Sequence, residues 1–205
     1  MKAEDIEAAV ANAGLDPLSP GTSAKFAEYL ALLLKWNARL NLTAIREPAE
    51  IVRRHFLECI QCAQALPEAA TLLDFGSGAG FPGIPIALVR REIRVTLGES
   101  QAKKAAFLRE AVRSLGLNAS VFDGRIETMP PAQKFEVVTL RAVDKMAEAC
   151  TLAIDRLVDR GALVVFATTS TESQVRNAAH GISWQAPIPL AKLNDAFLMI
   201  GHTDS

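Results

Sequence analysis

The fold of this chain is decided by one stretch, TLLDFGSGAGFPGIPI, at residues 71–86. Leu72, Leu73 and Phe75 predict a short buried strand, and the apolar end of the stretch predicts the start of a helix. Between them lies a loop that contains Gly76, Gly78 and Gly80. Glycine lets the backbone come close to a ligand, and N–H groups at the start of a helix bind anions. The stretch therefore predicts a ligand-binding turn between a strand and a helix.

The spacing of the glycines indicates which class of ligand such a turn binds. A Walker loop needs Gly-Lys-Ser/Thr, and no lysine occurs between residues 71 and 90. Counted from Gly76, the first glycine after the strand, the Gly-x-Gly-x-x-Gly pattern of a dinucleotide site needs a third glycine at the position of Phe81. What remains is an acid, Asp74, two residues before the first glycine, which repels a pyrophosphate but suits the ammonium and sulfonium cations of S-adenosylmethionine. The alternative is a tight connection in which Asp74 only caps the helix.

Composition indicates an ordinary globular protein. The chain has 205 residues, of which 50% are hydrophobic and 22% charged, with a formal net charge of -1. This size suits one domain with a short extension, and the balanced charge argues against indiscriminate coating of nucleic acid. We expect a cytoplasmic monomer without a signal peptide or membrane association. Cys59 and Cys62 form a Cys-x-x-Cys pair without further ligands nearby, so they predict buried small residues and no metal site.

The order of predicted elements indicates two parts. Residues 1–66 predict a helical extension, and residues 67–205 predict an α/β core with a mostly parallel sheet. The predicted helices of the extension are Lys2–Ala13, one that begins near Thr22 or Ser23, and Pro48–Leu66. The predicted strands after the first are Arg94–Gly98, Ala119–Phe122, Phe135–Leu140, Ala162–Ala167 and an edge strand at Ala196–Ile200. The helices between them are predicted at Ala102–Leu115 and Asp144–Val158.

Polar residues follow the predicted strands at the edge where a parallel sheet binds its ligands. Glu99 ends the second strand, where it either accepts the ribose hydroxyls of an adenosyl group or caps the next helix. Ile126 and Glu127 follow the third strand, in a segment that either contacts an adenine or is a plain turn. Arg141 comes directly after the fourth strand, so we expect it at the mouth of the site.

The segment after the fourth strand also bears on the substrate. It lacks the Asn/Asp-Pro-Pro-Tyr motif used for exocyclic amino groups and the Pro-Cys used for pyrimidine ring carbons. A ring nitrogen with a free lone pair, such as guanine N7, fits better because no proton has to be removed from it.

In the helical extension, basic residues that include Arg53 form either a solvated face or a surface for RNA. By itself, Asn41 is also explained as a helix cap, and His55 as an ordinary surface residue.

Several motifs together resemble one family, the bacterial small-subunit rRNA guanine-N7 methyltransferases, also called glucose-inhibited division protein B. The motifs are Trp36-Asn37, Asn41-Leu42-Thr43-Ala44-Ile45, His55-Phe56-Leu57-Glu58 and Gly76-Ser77-Gly78-Ala79-Gly80-Phe81-Pro82-Gly83-Ile84-Pro85. The resemblance implies a class I, Rossmann-like methyltransferase fold and S-adenosylmethionine as cofactor. It also implies methylation of a guanine in the decoding-region loop of 16S rRNA, with the small ribosomal subunit as partner.

The resemblance also implies roles for individual residues. Cofactor positions match Gly76, Phe81, Glu99, Ile126, Glu127 and Arg141, to which the glycine loop adds Asp74 and Gly78. Asn41 and His55 match positions that face the RNA or the site, and Arg141 is the expected catalytic residue.

The chain departs from the family pattern at Glu58-Cys59, where the family usually has Asp-Ser, and at Leu140, where it usually has Ser. These departures keep a second hypothesis open, a non-catalytic RNA-binding or ribosome-assembly protein that retains the cofactor fold.

Overall fold

A mixed eight-stranded sheet lies at the centre of the computed structural model, which describes residues 1–190 and 195–203. Its strands are β1 (Thr71–Phe75), β2 (Arg94–Glu99), β3 (Ala119–Asp123), β4 (Phe135–Leu140), β5 (Leu157–Thr168), β6 (Ile182–Trp184), β7 (Ile188–Pro189) and β8 (Ala196–Thr203). The spatial order is β3-β2-β1-β4-β5-β8-β6, and β7 also pairs with β8. Strands β1 to β5 pair in parallel, while β8 is antiparallel to β5. The predicted mostly parallel α/β sheet is confirmed.

Helices cover both faces of this sheet. They are α1 (Ala3–Asn12), α2 (Pro20–Leu40), α3 (Pro48–Ile51), α4 (Leu57–Ala65), α5 (Gly83–Val89), α6 (Ala102–Leu115), α7 (Met146–Ile154) and α8 (Glu172–Ala178). A π-helical segment at Val52–Phe56 joins α3 to α4, and a 3₁₀ turn at Ile126–Thr128 follows β3. Within the described residues, no helix is both long and apolar enough to cross a membrane.

The switch in strand order places the binding edge of the sheet between β1 and β4. From β1 the chain moves outward through β2 and β3, and β4 then returns to the other side of β1. The register pairs Phe75 with Leu140, so the residues that follow, Gly76 and Arg141, leave the sheet side by side. In an open α/β sheet this is the point where ligands bind.

The N-terminal helices share one apolar core with the sheet. The ring of Phe56 lies 5.2 Å from that of Phe26 and 5.3 Å from that of Tyr29, and Tyr29 lies 5.7 Å from Phe81 of the glycine loop. Because these rings are buried together, the helical extension supports the loop directly. A division of the chain near residue 66 stays a prediction.

Several elements differ from the sequence-based expectation, and β5 begins at Leu157, five residues before the predicted Ala162. Helix α2 begins at Pro20, because the Ser19 hydroxyl caps it by accepting a hydrogen bond from the Thr22 N–H at 3.2 Å. Helix α7 ends at Ile154, because Leu157 already pairs with β4. Strand β8 is not at the edge of the sheet, because β6 and β7 pair along its other side. The predicted burial of Cys59 and Cys62 is confirmed, and both are free thiols.

The start of α5 has no room for a side chain at Gly83. A Cβ there would lie 2.3 Å from Leu97 Cδ2 and 2.7 Å from Asp74 Oδ2. We therefore expect Gly83→Ala to lower the free energy of unfolding by about 1–3 kcal/mol through overpacking, as measured by urea denaturation. The matched control is Gly21→Ala, also in the first turn of a helix, where the nearest atom lies 3.9 Å away. The control should keep or slightly raise stability, and an equal loss in both variants would contradict the packing argument.

Candidate functional site

A cleft opens at the carboxyl edge of β1, β2 and β4. It consists of two cavities of about 400 and about 530 Å³, which share Gly76, Glu99 and Asp144 among their lining residues. The smaller cavity lies between the glycine loop and the N-terminal helices, and it is also lined by Thr43, His55, Gly78, Phe81 and Arg141. The larger one lies over β2 and is also lined by Gly98, Gly124, Ile126, Glu127 and Lys145.

The glycine loop wraps over the buried side chain of Asp74. Gly76, Gly78 and Gly80 have φ angles of 74°, 55° and 94°, a region that glycine adopts without strain. Tyr29 supports the loop from below, because its hydroxyl donates a hydrogen bond to the Ala79 carbonyl at 2.6 Å. Sequence reasoning did not single out this tyrosine, since nothing local in the helix pattern shows which buried ring meets the loop.

Asp74 lies behind the loop and not in the cleft. It is 0% exposed, the Thr139 hydroxyl donates to its Oδ1 at 3.0 Å, and the Gly83 N–H donates to its Oδ2 at 3.0 Å. Asp74 lines neither cavity, and its direct contact with cofactor cations stays a prediction. Through these two hydrogen bonds the carboxylate holds the start of α5 against β4.

Glu99 occupies the junction of the two cavities. Its Oε2 accepts a hydrogen bond from the Gly78 N–H at 2.9 Å, and its Oε1 accepts one from the Gln101 N–H at 2.7 Å. The side chain thus caps the start of α6 and also ties down the glycine loop. Because a carboxylate oxygen has two lone pairs, each oxygen keeps one for a further donor. Both interpretations of Glu99 are compatible with this geometry.

A turn after β3 forms the far wall of the larger cavity. The side chain of Ile126 packs directly on Gly98, where an added Cβ would lie 2.5 Å from Ile126 Cδ1. Arg156, only 8% exposed, holds this turn by donating to the carbonyls of Ile126 at 3.1 Å and Pro130 at 2.9 Å. Glu127 is exposed at the rim. The sequence pattern did not predict this role of Arg156, because the residue lies 30 positions after Ile126 in the chain.

Arg141 is the centre of a polar network at the mouth of the smaller cavity. Its Nη2, which has two hydrogens, lies 2.6 Å from Glu58 Oε2, 3.0 Å from His55 Nδ1 and 3.0 Å from the Arg54 carbonyl oxygen, so one hydrogen is shared between two acceptors. The guanidinium lies 5.6 Å from the ring centroid of Phe81 and 5.4 Å from that of Phe166. Within the described part of the chain, its Nε and Nη1 have no hydrogen-bond acceptor, so these are the donors that a ligand can use.

His55 reaches this network from the π-helical segment. Such widened turns occur often at functional sites, and this one brings both the Arg54 carbonyl and the His55 ring to Arg141. The ring lies 4.7 Å from that of Phe81, and its Nε2 lies 3.0 Å from Thr43 Oγ1. Burial, together with the charge of Arg141, lowers the pKa of His55 to about 4. The imidazole is therefore neutral at neutral pH.

Two predicted substrate residues lie outside the cleft. Asn41 ends α2 in a left-handed conformation with φ of 50°, and its Oδ1 accepts from Arg46 Nη2 at 3.1 Å. Arg53 pairs with Glu50 on the outer face, with Nε 2.9 Å from Glu50 Oε2. Neither lines the two cavities, because each points away from the helix face that covers the glycine loop.

The residues of the cleft fit S-adenosylmethionine. Gly76 lines both cavities and Gly98 lines the larger one, so the backbone there has no side chain between it and a ligand. Glu99 supplies free lone pairs for two ribose hydroxyls, and Ile126 supplies an apolar surface for an adenine. The groove runs from this end, through the glycine loop, to Arg141, so one extended ligand can reach both cavities.

Residues 22–191 match a family model described as rRNA small subunit methyltransferase G. The chain belongs to this family. Two proteins named ribosomal RNA small subunit methyltransferase G illustrate the relationship. The one from Xanthomonas campestris pv. campestris (strain 8004) is 36% identical over 98% of this chain and 96% of its own length. The one from Stenotrophomonas maltophilia (strain K279a) is 45% identical over 71% of this chain and 67% of its own length.

Solved structures show the class of fold. The O-methyltransferase TomG from Streptomyces achromogenes, solved in complex with SAM, superposes with a TM-score of 0.61 at 15% identity, over 86% of this chain and 90% of that chain. The fold is that of the class I methyltransferases, as the methyltransferase G motifs predicted.

The three residues at which this chain departs from the usual methyltransferase G motifs are all buried. Glu58 keeps a carboxylate on Arg141, while Cys59 and Leu140 are 0% exposed in the core.

Proposed function

We propose that this protein uses S-adenosylmethionine to methylate N7 of a guanine in the decoding-region loop of 16S rRNA. The observation that carries the proposal is a single cleft that combines a cofactor cradle with a polar mouth, in a member of the methyltransferase G family. The protein would bind its substrate in the cytoplasm, as part of the small ribosomal subunit or of a precursor of that subunit. We also propose that the protein acts as a monomer.

The cofactor would be held along the whole groove. Gly76, Gly78 and Phe81 would bind its methionine end, Glu99 its ribose, and Ile126 with Glu127 its adenine. Arg141 would lie where the two ligands meet, with Nε and Nη1 as donors. Asn41 and Arg53 would contact RNA only outside the cleft, together with exposed basic residues of the helices. Those residues are Lys35, Arg39, Arg46 and Lys103.

Methyl transfer to guanine N7 requires the side chains of the site only to position the two ligands and to balance charge. Bound S-adenosylmethionine supplies an electrophilic methyl group on a sulfonium. Guanine N7 has a free lone pair, so the protein has no proton to remove from it and needs no general base. His55 suits this, since it is neutral and its Nδ1 lone pair is occupied by Arg141. The carboxylate of Glu58 compensates the charge of Arg141, so the positive charge that develops on the guanine does not meet an unpaired guanidinium.

The direct test is transfer of labelled methyl from S-adenosylmethionine to small ribosomal subunits from a strain that lacks this protein. We expect one labelled base, at N7 of the decoding-region guanine, identified by strand scission after borohydride and aniline treatment. Subunits from the parent strain serve as control and should take up no label, because the site is already methylated. Cofactor binding without any labelling would favour the non-catalytic RNA-binding hypothesis, and label at another atom would contradict the guanine-N7 assignment.

A further inference from the structure

The hydrogen bonds of His55 define which of its ring nitrogens carries the proton. Arg141 Nη2 shares its two hydrogens among His55 Nδ1, Glu58 Oε2 and the Arg54 carbonyl. Because a guanidinium nitrogen cannot accept a hydrogen bond, the contact at 3.0 Å assigns a lone pair to His55 Nδ1. Since the imidazole is neutral, its single proton is on Nε2. That N–H points at Thr43 Oγ1 at 3.0 Å and donates to it.

The hydrogen bonds around Thr43 also show whether its hydroxyl can donate or accept a further hydrogen bond. A hydroxyl oxygen has two lone pairs and one hydrogen. The first lone pair accepts from His55 Nε2, and the second accepts from the Ile45 N–H at 3.2 Å. Within the described residues, no acceptor takes the remaining hydrogen, and Thr43 lines the smaller cavity. Thr43 is therefore a donor that faces the cleft and cannot act as an acceptor.

Thr43 is also held firmly in place. The buried amide of Asn37, which is 3% exposed, accepts from the Thr43 N–H at 2.9 Å and donates to the Thr43 carbonyl at 3.0 Å. A donor that is oriented in advance selects a partner better than a mobile one, because little freedom is lost on binding.

We propose that the Thr43 hydroxyl is a specificity-determining group that donates a hydrogen bond to O6 of the target guanine. This inference rests on the proposed function, because it names the contact that selects the base. Guanine presents N7 and O6 as two acceptors on one edge, whereas adenine presents N7 beside an amino donor. With N7 facing the cofactor, O6 would meet the Thr43 donor. An adenine amino group would meet the same donor and find no acceptor.

The contact is tested by a double-mutant cycle between the hydroxyl and the base oxygen. The enzymes are the wild type, Thr43→Val, which removes the hydroxyl at constant shape, and Thr43→Ser, which keeps it. The substrates are small subunits reconstituted with guanosine or with 2-aminopurine, which lacks O6, at the target position. The measurement is kcat and KM for transfer of labelled methyl to each substrate.

The wild type should prefer guanosine over 2-aminopurine by about 5- to 100-fold in kcat/KM, the range for one well-placed base contact. Thr43→Val should lose this preference, mainly through a higher KM for the guanosine substrate, and Thr43→Ser should keep it. An equal loss on both substrates in Thr43→Val, with the preference intact, would show a structural role only and overturn the inference. If the wild type labels neither substrate while the cofactor binds, the proposed function itself fails.

Discussion

Glu58→Ala is expected to lower the free energy of unfolding by about 3–5 kcal/mol, the usual loss when one partner of a buried ion pair is removed. The pair between Glu58 Oε2 and Arg141 Nη2 is 2.6 Å long, with side-chain exposures of 5% and 13%. Arginine stays charged at any accessible pH. Without Glu58, its guanidinium would therefore remain buried between two aromatic rings with no carboxylate to balance it.

The stability experiment includes a variant in which both charges are absent. Glu58→Ala combined with Arg141→Met leaves no uncompensated charge, so most of the lost stability should return, since an apolar replacement of a buried pair is often nearly neutral. Urea denaturation of the wild type, both single variants and the double variant gives the coupling energy. Strictly additive single effects would show that the two side chains do not interact in the folded protein.

A fall in pH from 7 to 4 is expected to increase the contribution of Asp74 to stability by about 2 kcal/mol, most of a full effect that is reached only below the unfolded pKa of 3.8. Burial raises the pKa of Asp74 from 3.8 to about 6, against the hydrogen bonds that favour its charged form. A shift of two pKa units corresponds to about 3 kcal/mol. Protonated Asp74 can be accommodated, because its Oδ1–H can donate to the Thr139 hydroxyl, which lies 3.5 Å from the Leu73 carbonyl.

The direction of this effect follows from proton linkage. The folded state has the higher pKa, so it binds the proton more tightly than the unfolded state does. The stabilisation is fully present below the unfolded pKa of 3.8 and is lost as the pH rises through about 6. The difference in unfolding free energy between the wild type and Asp74→Asn, measured in urea from pH 4 to pH 7, isolates this group. A difference that stays constant across that range would contradict the raised pKa.

Much of the site was predictable because its signals are local. Apolar runs bounded by glycine indicate buried strands, and β1, β2, β3 and β4 form within a residue of their predicted limits. The positions of Glu99 and Arg141 on the wall of the cleft were predictable, because a polar side chain that ends a buried strand lies at the carboxyl edge of a parallel sheet. The burial of Asp74 was not predictable, since the spacing that marks the acid does not show which way its carboxylate points.

Other features depend on contacts between distant residues. The pattern from Pro48 to Leu66 predicted an unbroken helix, and the π-helical segment within it has no signal in periodicity. Glu58 and Arg141 are 83 residues apart, so their pairing follows only from the packing of α4 on the sheet. Strands β6 and β7, of three and two residues, are too short to stand out in the sequence, and they form because β8 has an unpaired edge next to them.

The sequence by itself determined the parallel sheet, the glycine loop and the methyltransferase G membership, because these follow from backbone conformations and short motifs that neighbouring residues specify. Only the tertiary structure decided what the polar residues do. It turned Asp74 inward, joined Glu58 to Arg141, and made Thr43 a donor that faces the cleft. The reason is physical: a hydrogen bond depends on the distance and direction between two groups, and for residues far apart in the chain only the packed fold sets both.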